Sequence, residues 1–157
     1  MQATSFDQET MFRAIAESGV RALLIGRQAL IVLGLPVLTM DYDFWLPPDD
    51  AEAFNAALAP FGLQPNRPPD EARAVGRYVL ENDERVDVLV ARRLSTIDGT
   101  PVIFEEVWSR RQRVELAPGV PVCLPAIDDL MLTKRLAARP KDAEDLRLLE
   151  VLRSSKR

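Results

Sequence analysis

The 157-residue chain contains no histidine and one cysteine, Cys123. Without histidine there is no Ser–His or Cys–His nucleophile pair, no imidazole general base and no histidine-ligated zinc. Chemistry must rest on carboxylates, lysine, arginine, hydroxyls or the backbone. A lone cysteine excludes an internal disulfide. No apolar run is long enough to span a bilayer; the nearest, Ala22 to Leu38, is interrupted by Arg27, Gln28 and Pro36. Met1 to Ser18 carries acids and no apolar signal core, so no export signal is read there and a cytoplasmic protein is expected. Internal repeats and low-complexity tracts are also missing.

What is present fits a globular protein. At 47% hydrophobic and 28% charged residues the chain can bury a core rather than stay disordered. Its length suits a single domain over residues 1–157, with a core of about 10–124 and C-terminal helices over about 125–152. The net charge of −4 is unevenly spread: residues 1–100 hold 15 acids against 9 bases, whereas residues 101–157 hold 9 acids against 11 bases. General nucleic-acid binding is not expected from this balance, although a local basic face is compatible with it.

Periodicity outlines the elements. Residues 5–18 read as a helix stopped by Gly19, and Arg21 to Ile25 as a short buried strand ending at Gly26. Arg27 to Leu33 suits a short helix closed by Gly34 and Pro36. Met40 to Leu46 is a strand ended by Pro47-Pro48. Asp49 or Asp50 can cap a helix running to about Phe61, and residues 64–72 read as a Pro-rich loop. Ala74 to Leu80 and Arg85 to Val90 suggest a hairpin, followed by a loop over 91–101. Residues 102–110 fit either a helix or a strand. Val114 to Leu116 and Val120 to Leu124 suggest two strands around Pro118-Gly119. Helices are expected from Pro125 to Ala138 and from Lys141 to Leu152. This is an α/β pattern: a small mixed, twisted sheet flanked by helices, with the last two helices as a pair.

One stretch stands out chemically, Asp41-Tyr42-Asp43-Phe44-Trp45-Leu46. In a strand alternate side chains share a face, so Asp41 and Asp43 point one way while Tyr42, Phe44 and Leu46 take the other. Two anions on one face repel, and a divalent cation is the simplest partner; solvated surface aspartates are the plainer alternative. Two further features bear on the choice. Gly26 closes a strand and opens a helix, where backbone N–H groups can hold a phosphate or the glycine can serve only a tight turn. Asp87 lies in Val86-Asp87-Val88, on a strand able to pair beside Asp43. Three converging carboxylates can bind one or two Mg²⁺.

Ile25-Gly26-Arg27, Asp41-Tyr42-Asp43-Phe44 and Val86-Asp87-Val88 together resemble the core of the polymerase-beta-like nucleotidyltransferase superfamily. Asp129-Leu130-Met131-Leu132-Thr133-Lys134, Arg139-Pro140-Lys141-Asp142 and Asp145-Leu146 resemble the ending of bacterial members related to abortive-infection toxins and minimal nucleotidyltransferase antitoxins. The resemblance covers about residues 10–152. It implies Mg²⁺- or Mn²⁺-dependent transfer of a nucleoside monophosphate from an NTP to a hydroxyl on a protein, an RNA or a small molecule, in a setting that includes toxin–antitoxin pairs with a protein partner. A binding module or antitoxin without turnover is the alternative. The implied metal and catalytic residues are Asp41, Asp43 and Asp87, and the implied nucleotide-binding residues are Gly26, Arg27, Lys134, Lys141 and Asp142. On the residues alone, the two lysines and Asp142 fit solvated helix faces equally well. Arg27 departs from the pattern, which has a small residue after the glycine. Its side chain either crowds the phosphates or reaches them as a guanidinium fork. A phosphatase with an aspartyl nucleophile is disfavoured by Trp45, which stands where Thr or Val is wanted.

Overall fold

The apolar alternation of residues 41–46 and 85–90 dictates the centre of the molecule. The computed structural model describes residues 6–137 and 139–156. In chain order the elements are α1 (Gln8–Ser18), β1 (Leu23–Ile25), α2 (Gly26–Val32), β2 (Asp41–Leu46), α3 (Ala51–Leu58), β3 (Gln64–Pro65), α4 (Pro69–Val75), β4 (Arg77–Glu81) and β5 (Arg85–Val90). They continue with β6 (Arg93–Ser95), β7 (Pro101–Ile103), α5 (Phe104–Ser109), β8 (Gln112–Ala117), β9 (Val120–Leu124), α6 (Ile127–Thr133) and α7 (Pro140–Ser155). Five strands form one mixed sheet in the order β1-β2-β5-β4-β3, with β2 and β5 parallel and the other pairs antiparallel. β6–β7 and β8–β9 are separate antiparallel pairs.

One sheet face carries the core. Tyr42, Phe44 and Leu46 of β2 and Val86, Val88 and Val90 of β5 are buried on it. Phe12 of α1 packs on Phe44 at 6.0 Å between ring centroids, and Phe44 on Phe54 of α3 at 5.2 Å. Each such side chain contributes about 1.5–3 kcal/mol through burial. The opposite face is left for the carboxylates, and α6 and α7 border it.

The chain departs from the sequence expectations at several points. The Pro-rich segment contains α4: Pro69 occupies its first turn, where the missing N–H is harmless, and Asp70 and Glu71 complement the dipole. Residues 91–101 include β6 and lead into β7. The ambiguous stretch 102–110 resolves as the end of β7 followed by α5. Asp50 precedes α3 but makes no capping bond; its Oδ2 accepts from the Arg21 backbone N–H at 2.8 Å. The first C-terminal helix is shorter than expected, and Ala138 lies outside the described residues, as does Ser5 in the first helix. No helix of the described residues is long and apolar enough to cross a membrane.

Candidate functional site

The parallel pairing of β2 with β5 sets Asp43 opposite Asp87 and Asp41 opposite Arg85. Alternation then brings Asp41, Asp43, Arg85 and Asp87 onto one face. β4 adds Val79 opposite Asp87 and Arg77 opposite Leu89. This face is the floor of a cleft of about 700 Å³, whose lining includes Gly26, Arg27 and Thr39 on one side and Thr133, Lys134, Arg139 and Lys141 from the C-terminal region. Arg67 and Arg77 line it as well. Trp45 shares the carboxylate side of β2 yet is fully buried. Its ring meets Phe104 edge-on at 5.3 Å and its Nε1 donates to the Ala91 carbonyl at 2.9 Å.

Asp43 is the most perturbed acid of the cleft. Burial pushes its carboxyl up, and the neighbouring Asp87 and Asp41 add to this against the pull of Lys134 and Lys141, leaving it at about 6. Gly26 explains how the carboxyl is seated. The glycine has φ +69, and a Cβ there would lie 2.4 Å from Asp43 Oδ2 and 3.0 Å from Asp43 Cβ. Only a residue without a side chain lets β2 carry its carboxylate so close to the β1–α2 turn.

The expected basic groups take definite places. Arg27 lines the cleft and is held by α7 and the α2–β2 connection. Its Nε donates to Asp145 Oδ2 at 3.3 Å, its Nη2 lies 3.2 Å from Asp145 Oδ1 and 3.6 Å from Glu144, and its Nη1 donates to the Leu38 carbonyl at 3.4 Å. Lys134 is 4% exposed, and its Nζ donates to the same Asp145 at 2.8 Å. Lys141 is exposed and lines the cleft. Asp142 is buried in a two-bond pair with Arg139 at 2.9 and 3.2 Å, and it is not part of the cleft lining. Asp87 accepts two bonds from Arg85, both at 3.1 Å.

Sequence reasoning missed Arg85, Arg77 and Arg67, and it placed Arg139 and Asp145 in the C-terminal motifs without giving either a role. Arg85 was accessible to it, since two residues along a strand from Asp87 is the same face. The pairing of Asp145 with Arg27 and Lys134 was not, because an acid flanked by a leucine on a helix reads as surface.

The donor set fits a hard divalent cation. Carboxylate oxygens suit Mg²⁺ or Mn²⁺, no histidine or thiol competes, and burial together with like-charge crowding raises Asp43. Among the described residues no three acids form a ready-made cage. The expected trio of Asp41, Asp43 and Asp87 is therefore not gathered into one such group, and Mg²⁺ is commonly held by one or two carboxylates together with substrate phosphates.

Solved structures share this architecture. TM1012 of Thermotoga maritima, provisionally named a nucleotidyltransferase, aligns with a TM-score of 0.61 and 17% identity over 87% of this chain and 86% of its own. ANT(2'')-Ia, solved with adenylyl-2''-tobramycin, aligns at 0.58 and 19% identity over 93% and 92%. The chain has the polymerase-beta-like nucleotidyltransferase fold. The lincosamide antibiotic adenylyltransferase LnuA, solved with lincomycin, matches this fold at 0.61 and 11% identity over 94% and 98%. No protein-family model and no curated sequence matches the chain. Within the nucleotidyltransferase fold, the Gly26 turn, β2 and β5 are the parts that meet at Asp43.

Proposed function

We propose that the protein is a metal-dependent nucleotidyltransferase that moves a nucleoside monophosphate from an NTP to a hydroxyl acceptor and releases pyrophosphate. The observation that carries this is the seating of Asp43 between Gly26 and Asp87, on the floor of a cleft walled by cations. Asp41 and Asp43 would hold Mg²⁺ or Mn²⁺ together with the triphosphate. When bound, the ion neutralises charge on the phosphates and favours departure of pyrophosphate. The acceptor oxygen attacks the α-phosphorus, the bond to the leaving pyrophosphate breaks, and Asp87 takes the hydroxyl proton. For that Asp87 must leave Arg85. Lys134, Lys141 and Arg27 supply positive charge along the phosphates. Asp142 acts one step back, by fixing Arg139 at the cleft wall. A single-domain cytoplasmic protein is part of this reading and rests on chain length and composition, while a toxin–antitoxin pair with a protein partner rests on the sequence resemblance.

A second reading, a binding module without turnover, is favoured by the Arg85 fork, which already satisfies Asp87. Incubation with each α-labelled NTP, Mg²⁺ and cell extract separates the two: label transfer supports the enzyme, and a stable protein complex without transfer supports the module. The site itself is tested by replacing Asp41 and Asp43 together with Ala. Mg²⁺-dependent nucleotide binding should vanish, and binding equal to wild type would sink the assignment.

A further inference from the structure

Five cations of the cleft, Arg27, Arg67, Arg85, Lys134 and Arg139, have a carboxylate within ion-pair reach. Arg77 and Lys141 have none among the described residues. These two stand on opposite sides of the carboxylates. Lys141 belongs to α7 and, like Lys134, acts on Asp43. Arg77 begins β4, two strands away from β2, and at about 4.8 Å per step its backbone lies roughly 10 Å from that strand. Between Arg77 and Asp87 the floor consists of Val79 and half-buried Leu89. Arg67 is held beside Arg77, its Nη1 donating to the Arg77 carbonyl at 2.8 Å.

If the triphosphate lies on the α2, α6 and α7 side, the β4 side must receive the acceptor. We infer that this second subsite takes a small alcohol bearing a phosphate, held by Arg77 and Arg67 with its hydroxyl toward Asp87. The inference rests on the transfer reading above. A guanidinium pair over a short apolar floor matches a phosphate monoester next to a compact carbon skeleton. It would repel a polyamine such as tobramycin, the acceptor part of the adduct seen in ANT(2'')-Ia. Single-stranded RNA fits less well. The aromatic residues of the lining, Phe44 and Tyr78, are 2% and 1% exposed and offer no stacking surface.

The test titrates ribose 5-phosphate, ribose, tobramycin and a short oligoribonucleotide into the full chain, loaded with Mg²⁺ and non-hydrolysable analogues of the four NTPs in turn. Ribose 5-phosphate should bind on the order of tenfold more tightly than ribose, as expected for a charge-assisted bond. Arg77→Glu should remove that preference and weaken the analogue less than Lys141→Glu does. Arg77 is exposed, so its replacement leaves the core intact; Arg77→Gln, with no reversed charge, should reduce the preference partially. Equal binding of ribose, tighter binding of tobramycin or the oligoribonucleotide, or a preference that survives Arg77→Glu overturns this inference alone. Failure of every analogue to bind overturns the transfer reading with it.

Discussion

Gly26→Ala isolates the contact on which the site depends. The residue has φ +69, so alanine there adopts a left-handed conformation that costs about 1–2 kcal/mol. The new methyl would also stand 2.4 Å from Asp43 Oδ2 and 3.0 Å from both Asp43 Cβ and Cγ. Rotation of the carboxyl relieves the first contact but not the second, because Asp43 Cβ is fixed by the pairing of β2 with β1 and β5. Overpacking of this kind costs a further 1–3 kcal/mol, about 2–5 kcal/mol in all. Gly119→Ala is the control. It has φ +75 and open space where its Cβ would go, so it carries only the conformational part. Urea unfolding of both variants at pH 7 should show Gly26→Ala less stable than Gly119→Ala by about 1–3 kcal/mol, read as a midpoint difference of roughly 1 M. Swinging Asp43 aside would also displace the proposed metal ligand, so Mg²⁺-dependent nucleotide binding should fall at least tenfold in Gly26→Ala and stay unchanged in Gly119→Ala. Equal midpoints together with retained nucleotide binding would refute the idea that Gly26 exists to admit Asp43.

Other perturbations reach the same site from different directions. Asp43 sits at about 6 in the folded protein against an ordinary 3.8, so its contribution to stability is full below pH 4 and is lost as pH rises through about 6. Metal-free protein should therefore lose up to about 3 kcal/mol between pH 4 and pH 7.5 from this group, and Asp43→Asn should flatten that decline in urea unfolding. Asp145→Ala leaves Lys134 buried without a counter-charge and should destabilise by about 3–5 kcal/mol, whereas Asp145→Leu with Lys134→Met should recover most of the loss by thermal melting. Arg85→Ala removes a half-exposed pair, so unfolding stability should change by less than about 1 kcal/mol, while transfer to the acceptor should rise because Asp87 is freed to take its proton.

The carboxylate strand was legible because its pattern is local. Tyr42, Phe44 and Leu46 alternate with Asp41 and Asp43, and the pleat allows one assignment of faces. The pairing of Asp43 with Asp87 was legible only as an option, because a parallel partner is reached through the whole of α3, β3, α4 and β4. What could not be read was burial of charge. Asp145 meets Arg27 across 118 positions of sequence, and nothing near either residue announces the other. α4 was hidden for a different reason: Pro68 and Pro69 suggest a break, although proline in a first turn starts a helix as readily as it ends one.

Arg27 shows why the helix closing the cleft cannot be separated from the chemistry at its floor. Of α7, Leu149 is the fully buried apolar side chain, with Leu146 and Leu148 only partly covered. So modest an apolar face leaves much of the docking to charge. The docking charge is Asp145, whose Oδ2 accepts from Lys134 and Arg27 and whose Oδ1 has the Arg27 Nη2 at 3.2 Å as an ion-pair contact. A fully buried carboxylate is costly without such partners, so the two cations and the acid hold one another in place. Both cations line the cleft. The contacts that seat α7 are thus the contacts that hold two positive groups at the cleft wall, and under the proposed transfer a triphosphate arriving there would draw Arg27 and Lys134 against the pull of Asp145. Binding at the floor would then be coupled to the seating of α7 through one carboxylate.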